Sequence, residues 1–561
     1  MSQGTIFSQL KIRKKRQEVA FFESNADAND VEAGEHFITE LDKGDKRLGL
    51  FSSIGLICNR MLGTGIFVVP AKIFQLTGSV YFALGLWVLG ALIALAGLYV
   101  YMEFGTAIPR NGGEKNYLEF IFKKPKFFIT SMYSAYVIFL GWAAGNSVMA
   151  AAMFLDAGKV EATRWRERGL GVAVIFFCFL VNSLSVKAGL YFQNILGVFK
   201  IGTIIFIAIT GLVALGGHID GAPGTENFRH SPSDLSPSAY TIVNALYQVI
   251  WSFVGYSNVN YALGEVKNPV RTLKIAGPSS LAVLGTLYLL VNVAFFAVVP
   301  MEILKDAGMN LTPKFFDIAF GDKARRASAI FIGLSALGNV CSVIFSQGRI
   351  VQQLGREGVL PFTSFFASSK PFNSPMAGLF QHMIICAITI LAPPPGDAYD
   401  FVLNLISYPM NIINFILACG LIWIYWQRRQ SKLEWNPPIR AGYFVTSFFL
   451  IANLYLIVAP YVPPPSGSSV YKSLPYYIHC VVTWAIFAVG SIYWLIWSRL
   501  LPKWNNYELV HSEVLGEDGF WRNKIVKKYA GEDSVSTPDG GSDSTLKEGF
   551  SGIGVKQSIV Q

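Results

Sequence analysis

Charge is scarce in this chain. Asp, Glu, Lys and Arg make up 15% of its 561 residues, against roughly 25% in soluble globular proteins. Hydrophobic residues make up 52%, and the mean hydropathy is +0.42. That balance excludes a soluble enzyme built round one large core. Cysteine is also scarce. The six cysteines, Cys58, Cys178, Cys341, Cys386, Cys419 and Cys480, fall in or beside apolar segments. They form no CxxC and no metal-ligand spacing, so they read as small buried hydrophobes. No nucleophile–base pair and no metal cluster stand out, and neither an enzyme nor a bound cofactor or metal is expected. The first residues lack an apolar run, so no cleavable signal peptide is expected. The net charge of +10 resides mainly at loop ends. It reads as membrane topology charge rather than a nucleic-acid surface.

What the chain has instead is long apolar runs. They lie at roughly 48–77, 79–106, 127–155, 169–187, 190–217 and 239–263, then 273–299, 327–352, 376–393, 399–426, 440–460 and 476–500. At ~20 or more residues per span, these predict an all-α polytopic membrane protein of about twelve transmembrane helices. Residues 1–47 hold a basic cluster (Lys11, Arg13, Lys14, Lys15, Arg16) and then Asp27, Asp30, Glu32 and Glu35, a disordered arm by composition. The segment Gly112–Phe122 interleaves apolar and charged positions, as an interfacial amphipathic helix does. Lys and Arg favour the loops on the side of the N-terminal arm, which puts both termini in the cytosol. Two opposite loops blur that bias, one with Arg164, Arg166 and Arg168, the other with Lys323, Arg325 and Arg326. Past about residue 530 the chain is rich in Gly, Ser and Asp and reads as disordered. Before it, Leu515–Trp521 is a candidate for docking on the internal face.

The first apolar run contains Asn59-Arg60-Met61-Leu62-Gly63-Thr64-Gly65-Ile66-Phe67. Two glycines flank a threonine where a membrane helix should be continuous. Glycine disfavours helix interiors and admits close approach to the backbone. A broken membrane helix is tolerated only in protein or beside a cavity. Its freed amides suit an anion, because a helix N-terminus carries partial positive charge. A small-residue packing notch is the alternative. The sixth run, Trp251-Ser252-Phe253-Val254-Gly255-Tyr256-Ser257-Asn258, has a similar polar, glycine-containing centre. Interruptions in corresponding segments of two halves predict an inverted-repeat transporter with a midplane site; two unrelated kinks are the alternative. Neither broken stretch contains Asp or Glu, so backbone dipoles must meet a cationic group there. Arg60 and Lys200 lie about 18 and 15 Å into their segments. An ionisable residue at that depth suggests function, although Arg60 has a structural alternative in pairing with a carboxylate such as Glu103.

Gly63-Thr64-Gly65-Ile66-Phe67 resembles the substrate loop of the amino acid–polyamine–organocation superfamily. Glu265-Val266-Lys267-Asn268-Pro269 and Arg349 with Gly355-Arg356-Glu357-Gly358-Val359-Leu360-Pro361 resemble internal loops of its L-type branch. Cys58–Gly65 and Tyr261–Pro269 are similar to the fungal high-affinity methionine permeases within that branch. The resemblance runs from about residue 35 to about 525. It implies a LeuT-type 5+5 inverted-repeat core over 48–426, two extra helices over 427–500, and a cytosolic tail over 501–561. It implies a zwitterionic amino acid between the broken helices. The α-carboxylate would meet the amides of Thr64 and Gly65 and the Thr64 hydroxyl. The α-ammonium would meet carbonyls near Met61 and at Trp251, Ser252 and Val254. Gly63, Ile66 and Gly255 belong to the same two loops. Trp251 and Phe253 would wall the side-chain pocket, and Tyr408 and Asn411 align with pocket positions. Sulfur–ring contacts of about 0.3–1.5 kcal/mol favour a thioether. They do not exclude leucine, since a methylene discriminates only about 10–200-fold.

The expected function is therefore import of L-methionine at the plasma membrane by proton symport, with Lys200 as the proton-coupling group, where some proton-dependent relatives carry a lysine. A broader neutral or sulfur amino-acid permease, including cysteine, and a nutrient sensor using the same site are the alternatives. The tail lysines would serve the ubiquitin-ligase machinery. The loop Asp156–Arg168 has no cysteine, so no disulfide-linked heavy chain is expected as a partner.

Overall fold

A computed structural model of the chain describes residues 49–529 apart from 110–111, 185, 230–236, 371, 373, 395, 466–468 and 516–520. The expected N-terminal arm with its lysines and the Gly/Ser/Asp-rich end lie outside the described residues.

Among the described residues, nine helices are long and apolar enough to cross a membrane. The pair Leu50–Met61 and Gly65–Thr77, bent by 44°, makes a tenth and forms span 1. Spans 2 to 5 are Val80–Ala107, Phe128–Ala157, Arg164–Leu184 and Val186–Leu215. Span 6 is interrupted, with a helix over Ala239–Phe253 and a 3-10 helix over Asn258–Glu265. Spans 7 to 12 are Pro269–Val298, Asp322–Arg356, the shorter Met376–Leu391, Ala398–Arg429, Gly442–Tyr461 and Ile478–Trp504. Twelve spans follow, as the apolar runs predict. The face where residue 49 and the last described residues lie is the proximal face, and the other is distal.

Local chemistry sets the ends. Ser79 and Ser238 cap spans 2 and 6 by accepting from the amides of Phe82 and Thr241, satisfying donors that a helix start leaves free. Gly78, at φ +68°, closes span 1 in the left-handed conformation. Helices five apart pack on one another: 1 on 6, 2 on 7, 3 on 8 and 4 on 9. That is the neighbour pattern two inverted five-helix halves would produce.

Several charges that blur the topology reading have local partners. Arg168 is buried and donates to the carbonyls of Leu391 and Pro393 at the end of span 9, where a cation meets the negative end of the helix. Arg325 bonds Asp156 at 2.7 Å and Lys159 bonds Asp322 at 3.2 Å. On the proximal face, Glu114–Ile121 forms the expected interfacial helix. Its first charges are buried, not solvated. The Glu114 carboxylate accepts from Tyr261 (2.7 Å) and Tyr101 (3.1 Å) hydroxyls. Burial raises the Glu114 carboxyl above its ordinary value. Lys115 pairs with Glu357 at 2.5 Å and Glu119 at 3.1 Å. Burial opposes its charge, but the two carboxylates outweigh that and raise its value.

The addition to an otherwise helical fold is a hairpin, β1 (Tyr507–Leu515) and β2 (Trp521–Tyr529), antiparallel with Tyr507 opposite Tyr529. It docks on the proximal face through residues outside the Leu515–Trp521 stretch, of which 516–520 lie outside the described residues. Ile525 donates to the Glu357 carbonyl at 2.8 Å. Tyr507, Leu509 and Ile525 bury against Phe127 and Val359.

Candidate functional site

Span 1 breaks because its backbone turns at Leu62, whose ψ of +70° leaves the helix, and restarts at Gly65. The amides of Thr64 and Gly65 meet no backbone carbonyl among the described residues, so the second half-span opens with free donors. Span 6 ends its first half at Phe253, where the Trp251 carbonyl accepts from the Val254 amide at 3.3 Å and the Ser252 and Phe253 carbonyls meet no backbone amide among the described residues. Gly255, at φ +121°, then takes a conformation that L side chains rarely adopt.

The two breaks meet at close quarters. A Cβ added to Gly65 would lie 2.4 Å from Ser252 Oγ and 3.2 Å from Ser252 Cα. One added to Gly255 would lie 2.5 Å from Arg60 Cγ. These two glycines are contact points between spans 1 and 6, so the notch and the broken-helix readings both hold. Beside the crossing lies a narrow cavity of about 20 Å³, room for about one water, so the two breaks close tightly on each other in this state. Arg60, Met61, Gly63 and Gly65 line it from span 1. Trp251, Ser252 and Val254 line it from span 6. Trp142 and Asn146 come from span 3, and Asn339 and Val343 from span 8.

A polar relay ties these walls together. The buried Thr64 hydroxyl donates to Asn146 Oδ1 at 2.6 Å, and Asn146 Nδ2 donates to Asn339 Oδ1 at 2.9 Å. The Trp142 indole N–H is buried without a partner among the described residues, an open donor on the wall it shares with Asn146. Among the described residues no carboxylate lines the cavity. Donors thus converge from the start of one half-helix and acceptors from the end of another, the arrangement that holds a zwitterion without an ion pair.

The chain matches the amino acid permease family model over residues 48–486. It belongs to the amino acid permease family. It is 63% identical to the high-affinity methionine permease of Saccharomyces cerevisiae over 98% of this chain and 97% of that one. It is 31% identical to the low-affinity methionine permease of the same yeast, over 86% and 88%. It is 28% identical to the b(0,+)-type amino acid transporter 1 of Mus musculus, over 78% and 85%. This permease is thus a multi-pass membrane transporter.

The structure brings together Met61, Gly63, Gly65, Trp251, Ser252 and Val254 of the expected site, with Thr64 buried beside them on the relay. Others lie elsewhere. Phe253 turns away into an aromatic cluster with Trp87 and Tyr288, at ring separations of 6.0 and 5.3 Å. Ile66 is buried in the core, and Gly255 abuts the Arg60 stem. Tyr408 is not on the cavity wall; its hydroxyl meets Tyr461 at 2.9 Å and its ring meets His479. Asn411 is 1% exposed, and neither amide atom has a partner among the described residues. The Met61 carbonyl already accepts from the Gly63 amide and the Tyr288 hydroxyl, both at 2.8 Å. Its two lone pairs are filled, which moves the expected ammonium contact to span 6.

Arg60 does not pair with Glu103. That carboxylate accepts from Tyr425, Trp435 and the Ala441 amide and ties span 2 to the loop after span 10. Lys200 is 2% exposed and not on the cavity wall. Trp142, Asn146, Asn339 and Val343 escaped the sequence reading. The available signal was a lone Asn in each of two apolar runs, Gly141-Trp142-Ala143-Ala144-Gly145-Asn146 and Gly338-Asn339. An isolated amide in a membrane helix must find a partner inside the protein.

Proposed function

We propose that this chain imports L-methionine across the plasma membrane by proton symport, with both termini cytosolic and one helix bundle rocking against the other round a fixed site. The observation that carries the reading is the convergence of free amides at Thr64–Gly65 and free carbonyls at the end of Ala239–Phe253 on one cavity without a carboxylate. The similarity to two yeast methionine permeases supports the substrate. Trp142 and Trp251 supply ring faces for a thioether. The α-carboxylate sits on the Thr64 and Gly65 amides. The α-ammonium sits on carbonyls of Trp251, Ser252 and Val254. Lys200 exchanges the coupled proton as access alternates. No disulfide-linked heavy chain is required, and the N-terminal lysines serve turnover through ubiquitin ligases.

Labelled methionine uptake in permease-deficient cells tests the substrate, with other amino acids as competitors. Concentrative uptake inhibited by cold methionine supports import and removes the sensor-only alternative. Equal inhibition by leucine or phenylalanine would replace methionine selectivity with a broad neutral permease. Lys200→Met and Lys200→Arg are expected to abolish acid-stimulated uptake and retain exchange. Wild-type pH dependence in Lys200→Arg, which cannot deprotonate, would assign the proton to another group.

A further inference from the structure

A single positive charge stands on the cavity wall. Arg60 lines the chamber from the last turn of Leu50–Met61. Its stem passes beside Gly255, where the missing Cβ leaves it room. Among the described residues no carboxylate forms an ion pair with it, since Glu103 is fully engaged elsewhere. The remaining wall residues are apolar, aromatic or neutral amide and hydroxyl groups. Arg60 stands in the last turn of Leu50–Met61, where the negative end of the helix favours its cation without neutralising the full charge.

We infer that Arg60 sets the charge selectivity of the chamber: it admits zwitterions with neutral side chains and bars those with a second positive charge. The inference rests on the proposed amino-acid site and adds a rule to it. A zwitterion brings a carboxylate and an ammonium that the two half-helix ends match separately. A cationic side chain brings a charge that meets an unpaired guanidinium in a water-poor chamber, where like charges repel strongly. Size does not make this distinction, since a sulfonium and a thioether homologue can be matched in volume.

The test is competition against labelled methionine by two analogues of equal bulk, ethionine and S-methylmethionine. The first is neutral and the second carries a fixed positive sulfonium. In the wild-type protein ethionine should compete within about threefold of methionine, and the sulfonium on the order of 100-fold more weakly, the scale of one charge pair at short range. Arg60→Met should narrow that gap by at least about tenfold, while Arg60→Lys, which keeps the charge, should preserve it. Val343→Asp places an acid on the same wall to offset Arg60, and it should narrow the gap as well. That variant keeps the question open to measurement if Arg60→Met fails to reach the membrane. Equal competition by the two analogues in the wild type would overturn the inference. So would an unchanged ratio in transport-competent Arg60→Met, or in Val343→Asp. If the wild type takes up no methionine, the substrate reading fails by itself. The charge rule is then measured with lysine against the neutral amino acid that is carried.

Discussion

The two broken spans solve one problem with opposite parts. Span 1 offers donors, the amides at Thr64 and Gly65. Span 6 offers acceptors, the Ser252 and Phe253 carbonyls that end Ala239–Phe253 without a backbone amide among the described residues. Span 1 breaks at a glycine pair flanking a threonine, one of whose glycines touches the partner helix directly. Span 6 breaks round one glycine at φ +121° that touches an arginine stem. The contrast teaches that the donor break is held by tight backbone packing and the acceptor break by backbone conformation. Substitutions at the two should fail for different reasons and to different extents.

The largest expected effect is at Gly65. Its Cβ would meet Ser252 Oγ at 2.4 Å and Ser252 Cα at 3.2 Å. Backbone on one side cannot retreat, so Gly65→Val and even Gly65→Ala should abolish uptake with protein still at the surface. Gly63 faces only the Asn339 amide, at 3.3 Å. Gly63→Ala should lose about tenfold in kcat/KM, the scale of ~1–3 kcal/mol for overpacking, while Gly63→Val should abolish transport. Equal activity in the two alanine variants would dissolve the asymmetry. Gly255→Ala comes next, because it combines a positive φ with a 2.5 Å approach to Arg60 Cγ. Roughly 1–3 kcal/mol of backbone strain should cut uptake about 10- to 100-fold. Radiolabelled uptake normalised to surface protein measures each variant.

Much of this was legible in the sequence, and the boundary has physical causes. Twelve apolar runs give twelve spans because hydropathy over ~20 residues is a strong signal. The glycine–threonine–glycine stretch announced its break because glycine inside a membrane helix needs a reason. The docked hairpin was not foreseen. The sequence reading named only Leu515–Trp521 for docking, whereas the contacts come from Tyr507, Leu509 and Ile525, short apolar positions that gain meaning only once a surface to pack against is known. The partners of Arg60 and Glu103 were not legible. A single chain gives depth along a helix but not the face it presents, and Glu103 turns towards Tyr425 and Trp435 rather than towards span 1. Asn146 and Asn339, separated by 193 positions, meet only through the packing of span 3 on span 8.

The same contrast applies to side chains at the two breaks. The Thr64 hydroxyl reaches across to span 3, donating to Asn146 at 2.6 Å. The Ser252 hydroxyl stays within its own helix, donating to the Gln248 carbonyl at 3.2 Å. Thr64→Val keeps the shape and strands the buried Asn146 oxygen, which costs about 1–3 kcal/mol. An increase in methionine KM of about 5- to 150-fold should follow. Ser252→Ala removes a bond whose carbonyl partner already serves the helix, so its KM should move less than about threefold. A larger loss at Ser252 than at Thr64 would mean that the acceptor side, not the donor side, sets affinity.

The smallest effect is expected where resemblance and geometry part. Tyr408 aligns with a pocket position, yet its hydroxyl meets Tyr461 at 2.9 Å and its ring packs on His479 between spans 10 and 12. Tyr408→Phe removes one buried hydrogen bond, worth about 0.5–1.5 kcal/mol of stability, and leaves the cavity wall intact. The midpoint of thermal unfolding in detergent should fall slightly, while methionine KM and the order of competing amino acids stay within about twofold of wild type. Trp251→Phe, on the wall itself, is the matched control and should shift that order. If Tyr408→Phe changes the order of competitors as strongly as Trp251→Phe does, span 10 must turn its Tyr408 face towards the substrate in another state of the cycle. The acceptor break would then share its pocket with span 10, and the division of labour between spans 1 and 6 would hold for the backbone of the substrate alone.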